Sequence, residues 1–420
     1  MKKQTKSALA ILLVLSIIAF PWVNATESEA ATSRVAYSIG VNHGTSGDLT
    51  GDFTPNVTIA KARYSMIDDV NSKYTFKPTR SILSSAITKD IVFLNGHASA
   101  DNILFNHNNL GGSYACGVHR TLNGTSSSTG YSYVGLTSTD MSSVDLISFV
   151  GCKTAEGSSN LAKTARSEGA TTSVGFTESI TSRSTQGQTW LTYYNNMLGM
   201  GESVGTAINT ATAACPCDLG LTVKVYGSST NTIGSSSKTK GVEIQTVNDA
   251  IGRVEDKAML NSNVNNADLL SYKKVFKAAI ETIKEYDTTF DINNYKVDVN
   301  IYDEENGNGF ARLTYYIDGV ILTNYGYMID IQNSKQTNIY PCISKNDVDF
   351  SALTNKLVLK LDKFEKSSTK LNLEKLTSNE SEYRELYYYD FLTRDLKYIV
   401  TSFEESPEGV IVETTEETTL

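Results

Sequence analysis

Short apolar runs alternate with amphipathic segments through the first half of the chain. Continuous apolar runs at 91–94 and 146–150 are typical of strands buried on both faces of a parallel sheet. The pattern further predicts strands at 35–40, 76–82, 171–176 and 221–226, helices at 56–72, 159–168, 189–198 and 203–214, a hairpin arm at 102–105 and a surface loop at 106–132. This alternation predicts an α/β fold, with a mostly parallel six-stranded sheet and helices on both faces.

The second half of the chain has a different pattern. A stretch rich in Ser, Thr and Gly at 228–244 predicts a flexible linker between a domain at 33–227 and a smaller α+β accessory region at 245–420. The accessory region shows an amphipathic helix at 271–286, a hairpin at 295–302 and 310–317 around Asn306 and Gly307, a strand at 320–331, and a fainter second cycle at 350–376, 385–390, 396–403 and 410–414. We predict two tandem α+β units of similar plan.

The N-terminus has the pattern of a secretory signal peptide. Lys2, Lys3 and Lys6 precede an apolar run at 8–20, and small residues follow at 23–25. We therefore predict a signal peptide at 1–25 and a mature protein that is secreted or cell-wall-associated, in a bacterium of Gram-positive type. No later apolar run approaches the roughly 20 residues of a spanning helix, so we expect no membrane span in the mature protein.

Charge is distributed unevenly between the two halves. Residues 26–240 carry 15 acidic and 15 basic side chains, whereas residues 241–420 carry 31 acidic and 19 basic ones. The acidic excess argues against nucleic acid as a partner, because phosphates require clustered Lys and Arg. Two roles remain open for the acidic region, namely the binding of a cationic partner and the intramolecular inhibition of the first domain.

Two reactive side chains follow neighbouring apolar runs. His97 follows the first run in the sequence Asn-Gly-His-Ala, and Cys152 follows the second in Val-Gly-Cys-Lys. The carboxyl ends of parallel strands form the edge where open α/β sheets place their active sites, so we expect the two side chains to share one rim. A thiolate attacks a peptide carbonyl while an imidazole protonates the leaving amine. The pair therefore predicts a cysteine endopeptidase that acts on protein or peptide substrates and requires no cofactor.

The surroundings of the pair bear on this chemistry. A free thiol titrates near about pH 8.5, and the positive end of the helix predicted after Cys152 would lower that value. Backbone N–H groups of Cys152 and Ala98 are the expected donors to the oxyanion. Taken singly, a buried cysteine and a histidine at a strand end are more often structural residues. Their matching positions, with Gly96 and Gly151 beside them, favour the catalytic interpretation.

The residues around the pair resemble those of caspase-like (clan CD) cysteine peptidases, and within them the CHAT branch, over residues 35–226. The motif Phe-Val-Gly-Cys-Lys-Thr-Ala-Glu-Gly at 149–157 is followed by a predicted helix and strand and by Gly-Glu-Ser-Val-Gly-Thr-Ala at 201–207. The 55-residue separation of His97 and Cys152 is close to the roughly 50 residues of this class. The resemblance implies a caspase–haemoglobinase sheet and cleavage by this dyad. Ala98 stands where the family usually has glycine, and Gly151 where alanine is common.

The resemblance also suggests a specificity and a plan for the accessory region. It places the loop at 176–180 beside the substrate side chain that precedes the cleaved bond, and Glu178 in this loop is the candidate substrate-binding residue. Its charge predicts cleavage after Lys or Arg. The accessory region resembles PepSY-type modules, in which a helix packs on a small antiparallel sheet.

Other chemistries fit the sequence less well. Gly-Glu-Ser-Val-Gly at 201–205 matches a serine nucleophile elbow, but no histidine follows Ser203. The histidines lack metal-ligand spacing, and the acidic turn at 303–309 lacks the spaced ligands of a calcium loop, so no metal site is assigned and Ca²⁺ is left as an optional ligand. Setting Cys152 aside leaves four cysteines, whose three pairings stay open. The alternative function is a non-catalytic exported binding or adhesion protein on a degenerate peptidase scaffold.

Overall fold

The computed structural model describes residues 34–44, 49–105, 115–215, 217–234, 279–285, 287–317, 319–333, 335–341, 350–366, 382–390, 395–407 and 409–420. The signal peptide expected at 1–25, most of the predicted linker and Cys342 lie outside these residues. Arg34–Leu420 form one compact unit. Within the described part of the chain, no helix has the length and apolar character that crossing a membrane requires.

The elements follow one another along the whole described chain. The strands are β1 (Arg34–Gly40), β2 (Val70–Thr75), β3 (Ile91–Asn95), β4 (His97–Ala98), β5 (Asn102–Phe105), β6 (Cys116–His119), β7 (Gly124–Thr125), β8 (Ser132–Gly135), β9 (Leu146–Val150), β10 (Thr172–Phe176), β11 (Val223–Gly227), β12 (Tyr295–Asp303), β13 (Asn308–Ile317), β14 (Val320–Gln332), β15 (Lys335–Pro341), β16 (Glu382–Asp390), β17 (Asp395–Glu405) and β18 (Ile411–Thr419). The helices are α1 (Thr54–Tyr64), α2 (Arg80–Ala86), α3 (Leu161–Ser167), α4 (Thr185–Gly199), α5 (Val204–Ala214), α6 (Asp218–Thr222) and α7 (Phe350–Glu365).

The first sheet has six strands in the order β11–β10–β9–β3–β1–β2. All of them run parallel except β11, which pairs antiparallel with β10. The central strands β3 and β9 are buried at every position, because helices cover both faces of the sheet. One face packs against α1, α4 and α5, and the other against α2 and α3. The predicted mixed α/β class, with a six-stranded and mostly parallel sheet, is confirmed.

Some predicted elements of the first half are wrong. The helix predicted at 56–72 ends at Tyr64, and the chain then forms the edge strand β2, whose polar sequence gives little sign of a strand. The strand predicted at 76–82 gives way to α2, which begins after Thr79, whose side chain accepts a hydrogen bond from the Ile82 N–H. The surface loop predicted at 106–132 contains β6 and β7, which belong to a second sheet.

The second sheet crosses the domain boundary that the sequence predicted. Its strands follow the order β12–β13–β14–β16–β17–β18–β4–β5–β6–β8–β7, with β15 paired to β14. The two halves of the chain join in this sheet where Ile411 of β18 pairs with Ala98 of β4. In the described part of the predicted linker, Ser229 is buried and donates hydrogen bonds to Asp303 from its N–H and its hydroxyl. The accessory region is therefore fastened to the first domain at both places.

The described residues of the accessory region contain two helix–strand cycles. The hairpin around Asn306 and Gly307 is confirmed by the pairing of β12 with β13. Residues 279–285 are helical and pack against β13 and β14. In the second cycle α7 packs against strands β14, β16 and β17. The two cycles share one sheet because β14 pairs in parallel with β16.

Candidate active site

Strands β3 and β9 bring His97 and Cys152 to the same edge of the first sheet. The two strands pair in parallel, with Asn95 opposite Val150. His97 and Cys152 are each the second residue beyond that pair, so they occupy equivalent positions on neighbouring strands. The Gly96 N–H donates to the Val150 carbonyl at 3.2 Å and holds the strand ends together.

The two glycines beside the pair allow the strand ends to approach closely. A Cβ atom at Gly151 would lie 2.6 Å from the Ala98 Cβ and 2.6 Å from the Gly96 carbonyl oxygen. A Cβ atom at Gly96 would lie 2.7 Å from the Leu104 carbonyl oxygen. Real Cβ atoms do not come this close to other heavy atoms, so both positions require glycine.

A buried polar network supports the rim from below. The Asn95 side chain donates to the Val150 carbonyl at 2.8 Å and accepts a hydrogen bond from Asn56 Nδ2 at 2.8 Å. Asn56 Nδ2 also donates to the Ser182 carbonyl at 3.1 Å. The network therefore ties β3 and β9 to the loop that follows β10, and it fixes this loop beside the pair.

His97 is almost completely buried, with 2% of its surface exposed. Its Nε2 donates to the Thr50 carbonyl at 2.6 Å, and its ring packs edge-on against Phe53 and beside His43. Burial lowers the pKa of His97 to about 3, and the positive charge of Arg183 acts in the same direction. Hydrogen bonds to the backbones of Thr50 and Ile411 oppose this shift. The imidazole is therefore neutral at neutral pH in this closed arrangement.

Cys152 is buried to a similar degree, with 3% of its surface exposed. Its Sγ lies 3.4 Å from the Ile180 nitrogen and 3.7 Å from the Ile180 oxygen. Burial raises the pKa of the Cys152 thiol to about 12, and the negative charge of Glu413 acts in the same direction. The thiol is therefore protonated and unreactive while the site is closed.

The helix predicted at 159–168 is present as α3, but its N-terminus does not lie at Cys152. The residues that follow Cys152 form turns, with Lys153 in the left-handed region at φ 61°, and α3 begins only at Leu161. The Lys153 N–H donates to the Glu178 carbonyl instead of opening a helix. The prediction that a helix N-terminus lowers the thiol pKa is therefore wrong.

Strand β18 covers the rim. The Ser99 N–H donates to the Asn102 carbonyl of β5. In an antiparallel ladder, successive residues turn their N–H and C=O groups to opposite sides. The N–H and C=O of Ala98 therefore point away from β5 and towards β18. Ala98 and Ile411 are thus a hydrogen-bonded pair, in which the Ala98 N–H donates to the Ile411 carbonyl. The backbone of Ile411 also forms a hydrogen bond with the His97 ring. The Ile411 carbonyl therefore occupies the Ala98 N–H, one of the two expected oxyanion donors, and the Ile411 backbone also contacts the imidazole of the pair.

Glu413 of β18 lies next to the pair and is 2% exposed. Its carboxylate accepts hydrogen bonds from the Arg183 N–H at 3.3 Å, Ser182 Oγ at 3.5 Å and Thr415 Oγ1 at 2.9 Å, and it lies 3.9 Å from Arg183 Nε. Burial raises the pKa of Glu413 to about 7, although Arg183 and the Thr415 hydroxyl work against this. Arg183 in turn stacks over the Phe53 ring, with its guanidinium carbon 5.4 Å from the ring centroid.

Glu178 lies on the other side of the loop after β10. Its side chain is 62% exposed and forms an ion pair with Arg384 of β16 at 3.4 Å. Arg384 also donates to the Ser179 carbonyl at 2.9 Å and lies 3.5 Å from Asp218. Glu178 borders a cavity of about 510 Å³ that neither His97 nor Cys152 lines. In the closed protein its charge is thus directed to the accessory region and away from the pair.

The remaining reactive side chains form no second site of the predicted kinds. Cys116, Cys152, Cys215 and Cys217 are free and buried. Asp303, in the turn considered for Ca²⁺, accepts hydrogen bonds from Ser229, Asn306 and Asn308. Among the described residues, no group of three His, Cys, Asp or Glu side chains is arranged to hold a metal ion.

Comparison of the chain with models of known protein families and with curated proteins finds no match. The resemblance to caspase-like peptidases therefore stays a prediction from the sequence motifs.

Several residues of the site were missed by the sequence reasoning. Arg183 follows the loop that contains Glu178, and its proximity to the pair depends on how the loop turns towards α4. Ile411 and Glu413 lie more than 250 residues from Cys152 in the sequence, and only the sheet brings them to the rim. The acid at Glu413, directly after the apolar run Val410, Ile411 and Val412, was the one local sign of an unusual strand.

Proposed function

We propose that this chain is a cysteine endopeptidase whose His97 and Cys152 dyad is held in an inactive state by its own strand β18. The observation that carries the proposal is the register of β3 and β9, which puts the two side chains at equivalent positions beyond Asn95 and Val150. Two unrelated structural residues would have no reason to share that relation. The occupation of the rim by a carbonyl from β18 supports the second part of the proposal.

The proposed reaction follows from these groups once β18 has left. Cys152 first transfers its thiol proton to His97, and the resulting thiolate attacks the carbonyl carbon of the substrate peptide while the Ala98 and Cys152 N–H groups stabilise the oxyanion. The C–N bond then breaks, the leaving amine takes a proton from His97, and a thioester remains. Water hydrolyses the thioester, releasing the carboxylic acid and regenerating the thiol. Release of β18 is required because a buried thiol with a pKa near 12 has almost no thiolate at neutral pH.

One observation favours a second candidate function. Neither His97 nor Cys152 is accessible in the closed protein, since their exposed fractions are 2% and 3%. A scaffold that had lost catalysis would bury both side chains in the same way, and the acidic accessory region would then carry the function as an exported binding or adhesion protein. The two candidates differ in what happens when β18 is displaced.

The test is to displace β18 at the residue that contacts β4. The N–H of Ile411 faces Ala98. Ile411→Pro therefore removes the hydrogen-bond donor to β4 but leaves the donors of the ladder with β17 in place. A proline is also tolerated at the first residue of a strand. We expect Ile411→Pro to raise casein cleavage at least about tenfold over the unmodified protein, and Ile411→Val to leave it unchanged. Alkylation of Cys152 by iodoacetamide, followed by peptide mapping, reports the opening of the rim separately from catalysis.

The active-site variants complete this test. Cys152→Ala and His97→Ala, each combined with Ile411→Pro, should abolish the cleavage that Ile411→Pro produces. If Cys152 becomes open to alkylation in Ile411→Pro but no protein or peptide substrate is cleaved, the binding function is the better account.

A further inference from the structure

The face of β18 opposite Cys152 rests on an apolar wall that belongs to the first domain. Val410 and Val412 are both buried, and they form one cluster with the side chains of Leu49, Leu104, Tyr131 and Tyr133. Ile411, between the two valines, faces the other way and packs against the cluster that contains Cys152. This alternation is that of a strand, and it gives the two faces of the segment different partners.

The wall lies directly beside the catalytic rim. Leu104 of β5 is the residue opposite His97 in the β4–β5 ladder. Tyr131 and Tyr133 come from the end of the arm that carries β8, and their rings stack at a centroid distance of 6.1 Å. Leu49 lies in the connection between β1 and α1, close to Thr50, whose carbonyl accepts from His97. Two of the segments that hold the valines, β5 and the connection before α1, thus also contact or pair with His97.

Displacement of β18 would expose this wall to water. An apolar patch at the surface of a monomeric protein usually marks a binding site for a partner of matching chemistry. The main chain of β4 offers the Ala98 N–H and C=O to an extended peptide, which is how strand addition supplies affinity, and pockets for alternate side chains then supply specificity. In the closed protein, β18 occupies both the main-chain groups of β4 and the apolar wall.

We infer that Leu49, Leu104, Tyr131 and Tyr133 form a substrate subsite for extended peptides with aliphatic, β-branched side chains at alternate positions. The inference rests on the proposed peptidase function, and it names the class of peptide that the cleft accepts. In the closed state the subsite holds Val410 and Val412 of the same chain. The side chain between the two aliphatic residues points to the other face, towards the cluster that contains Cys152.

The first experiment changes the valines of the full chain. Val410→Thr with Val412→Thr keeps the branched shape and the tendency to form a strand, but it puts two hydroxyls against the wall. Loss of this apolar burial should speed the alkylation of Cys152 by iodoacetamide at least about tenfold. Val400→Thr is the matched control, because Val400 is buried in β17 against Phe364 and Tyr398, away from the wall. It should leave the alkylation rate within about twofold.

The second experiment supplies the segment from outside. The probe is the acetylated and amidated heptapeptide with the sequence of residues 409–415, compared with the same peptide carrying Thr at both valine positions. With the opened double variant, the valine peptide should protect Cys152 from alkylation, and the threonine peptide should need about ten times the concentration. Leu104→Thr, added to the opened double variant, should remove the difference between the protecting concentrations of the two peptides. If the double variant does not fold, Ile411→Pro provides the opened protein.

The outcomes separate the inference from the function on which it rests. Equal protection by the two peptides, or a double variant that alkylates no faster than Val400→Thr, would overturn the subsite. Selective protection without cleavage of any peptide would remove the peptidase proposal and leave the subsite as a binding site. Cleavage of both peptides at equal rates would support the peptidase proposal and overturn the subsite.

Discussion

Ala98 and Gly151 show how two substitutions at the rim depend on each other. In the family that the sequence resembles, glycine usually follows the histidine and alanine is common before the cysteine, whereas this chain has the two residues exchanged. Since a Cβ atom at Gly151 would lie 2.6 Å from that of Ala98, the space between the strand ends holds one methyl group and not two. The N–H of residue 98 is kept in either arrangement, so the exchange conserves the groups that the proposed oxyanion site needs.

Gly151→Ala is therefore expected to destabilise the protein by about 1–3 kcal/mol, the usual cost of overpacking a filled site. Adding Ala98→Gly should recover part of that loss, because the Ala98 Cβ is removed while the Gly96 carbonyl still lies 2.6 Å from the new atom. The free energy of unfolding in urea, measured for both single variants and the double variant, gives the coupling. Strict additivity of the two changes would contradict this explanation.

At the scale of the element, β18 combines apolar contacts that hold it on the rim with an acid that resists burial. The pKa of Glu413 is raised by burial to about 7 from an ordinary value near 4.5. In the closed form Glu413 therefore keeps a proton that it gives up when the strand is released. This protonation contributes fully to the stability of the closed form below pH 4.5, and the contribution is lost as the pH rises through 7. The strand is therefore held less tightly at pH 8 than its apolar contacts alone would allow.

Glu413→Gln should remove this pH dependence. The amide oxygen keeps the hydrogen bonds from Ser182 and Arg183 and carries no charge, so we expect the variant to exceed the unmodified protein in melting temperature at pH 8 and to match it at pH 4.5. The titration of His97, which favours opening as the pH falls below 6.5, is common to both proteins and cancels in the difference.

Glu417→Gln on the same strand is the matched control. Burial acts to raise the pKa of Glu417, but hydrogen bonds from Lys397 and other partners lower it overall. The charged form is the stable one here, so Glu417→Gln should lower the melting temperature at pH 8. A gain at pH 8 for both variants would show that the loss of charge alone, and not the burial of Glu413, is responsible.

At the scale of the whole molecule, the accessory region and the first domain share structure in several places. Fully buried Arg312 of β13 donates to the carbonyls of Thr212 and Ala213 at the end of α5. Asn209 of α5 donates to Asp330 of β14 at 3.0 Å. Together with the pairing of β18 with β4, these contacts make Arg34–Leu420 one unit. We therefore expect the two halves to unfold together.

A substitution deep in the accessory region tests this cooperativity. Leu357 of α7 is fully buried, and Leu357→Ala should cost about 2–5 kcal/mol. Trp190 of α4 and Trp22, which lies in the predicted signal peptide, are the only tryptophans of the sequence. In a protein that lacks the predicted signal peptide, tryptophan fluorescence therefore reports on the first domain. The Trp190 transition should move to a lower urea concentration in Leu357→Ala and change little in Leu357→Met. An unmoved transition in Leu357→Ala would mean that the halves unfold independently.

Elements with a strong local pattern were predictable, and those without one were not. The buried runs of β3 and β9 identified the centre of the first sheet, because only strands covered on both faces are apolar throughout. The edge strand β2 carries the polar sequence VNSKYT, whose first residues continue the pattern of the helix predicted at 56–72. The two-residue strand β4 is too short for any period to show, yet it carries His97 and receives β18.

The sequence by itself determined the α/β class, five of the six strands of the first sheet and the position of His97 and Cys152 at the ends of neighbouring strands, because periodicity and strand ends are local properties. The tertiary structure decided that the rim is closed, that Ile411 meets Ala98 and His97, and that Glu413 lies against Arg183. Those contacts join residues far apart in the chain through strand pairing across two halves, and pairing partners leave no mark in the local pattern of either strand. The same long-range pairing sets the burial that moves the pKa values of His97, Cys152 and Glu413 away from their ordinary values.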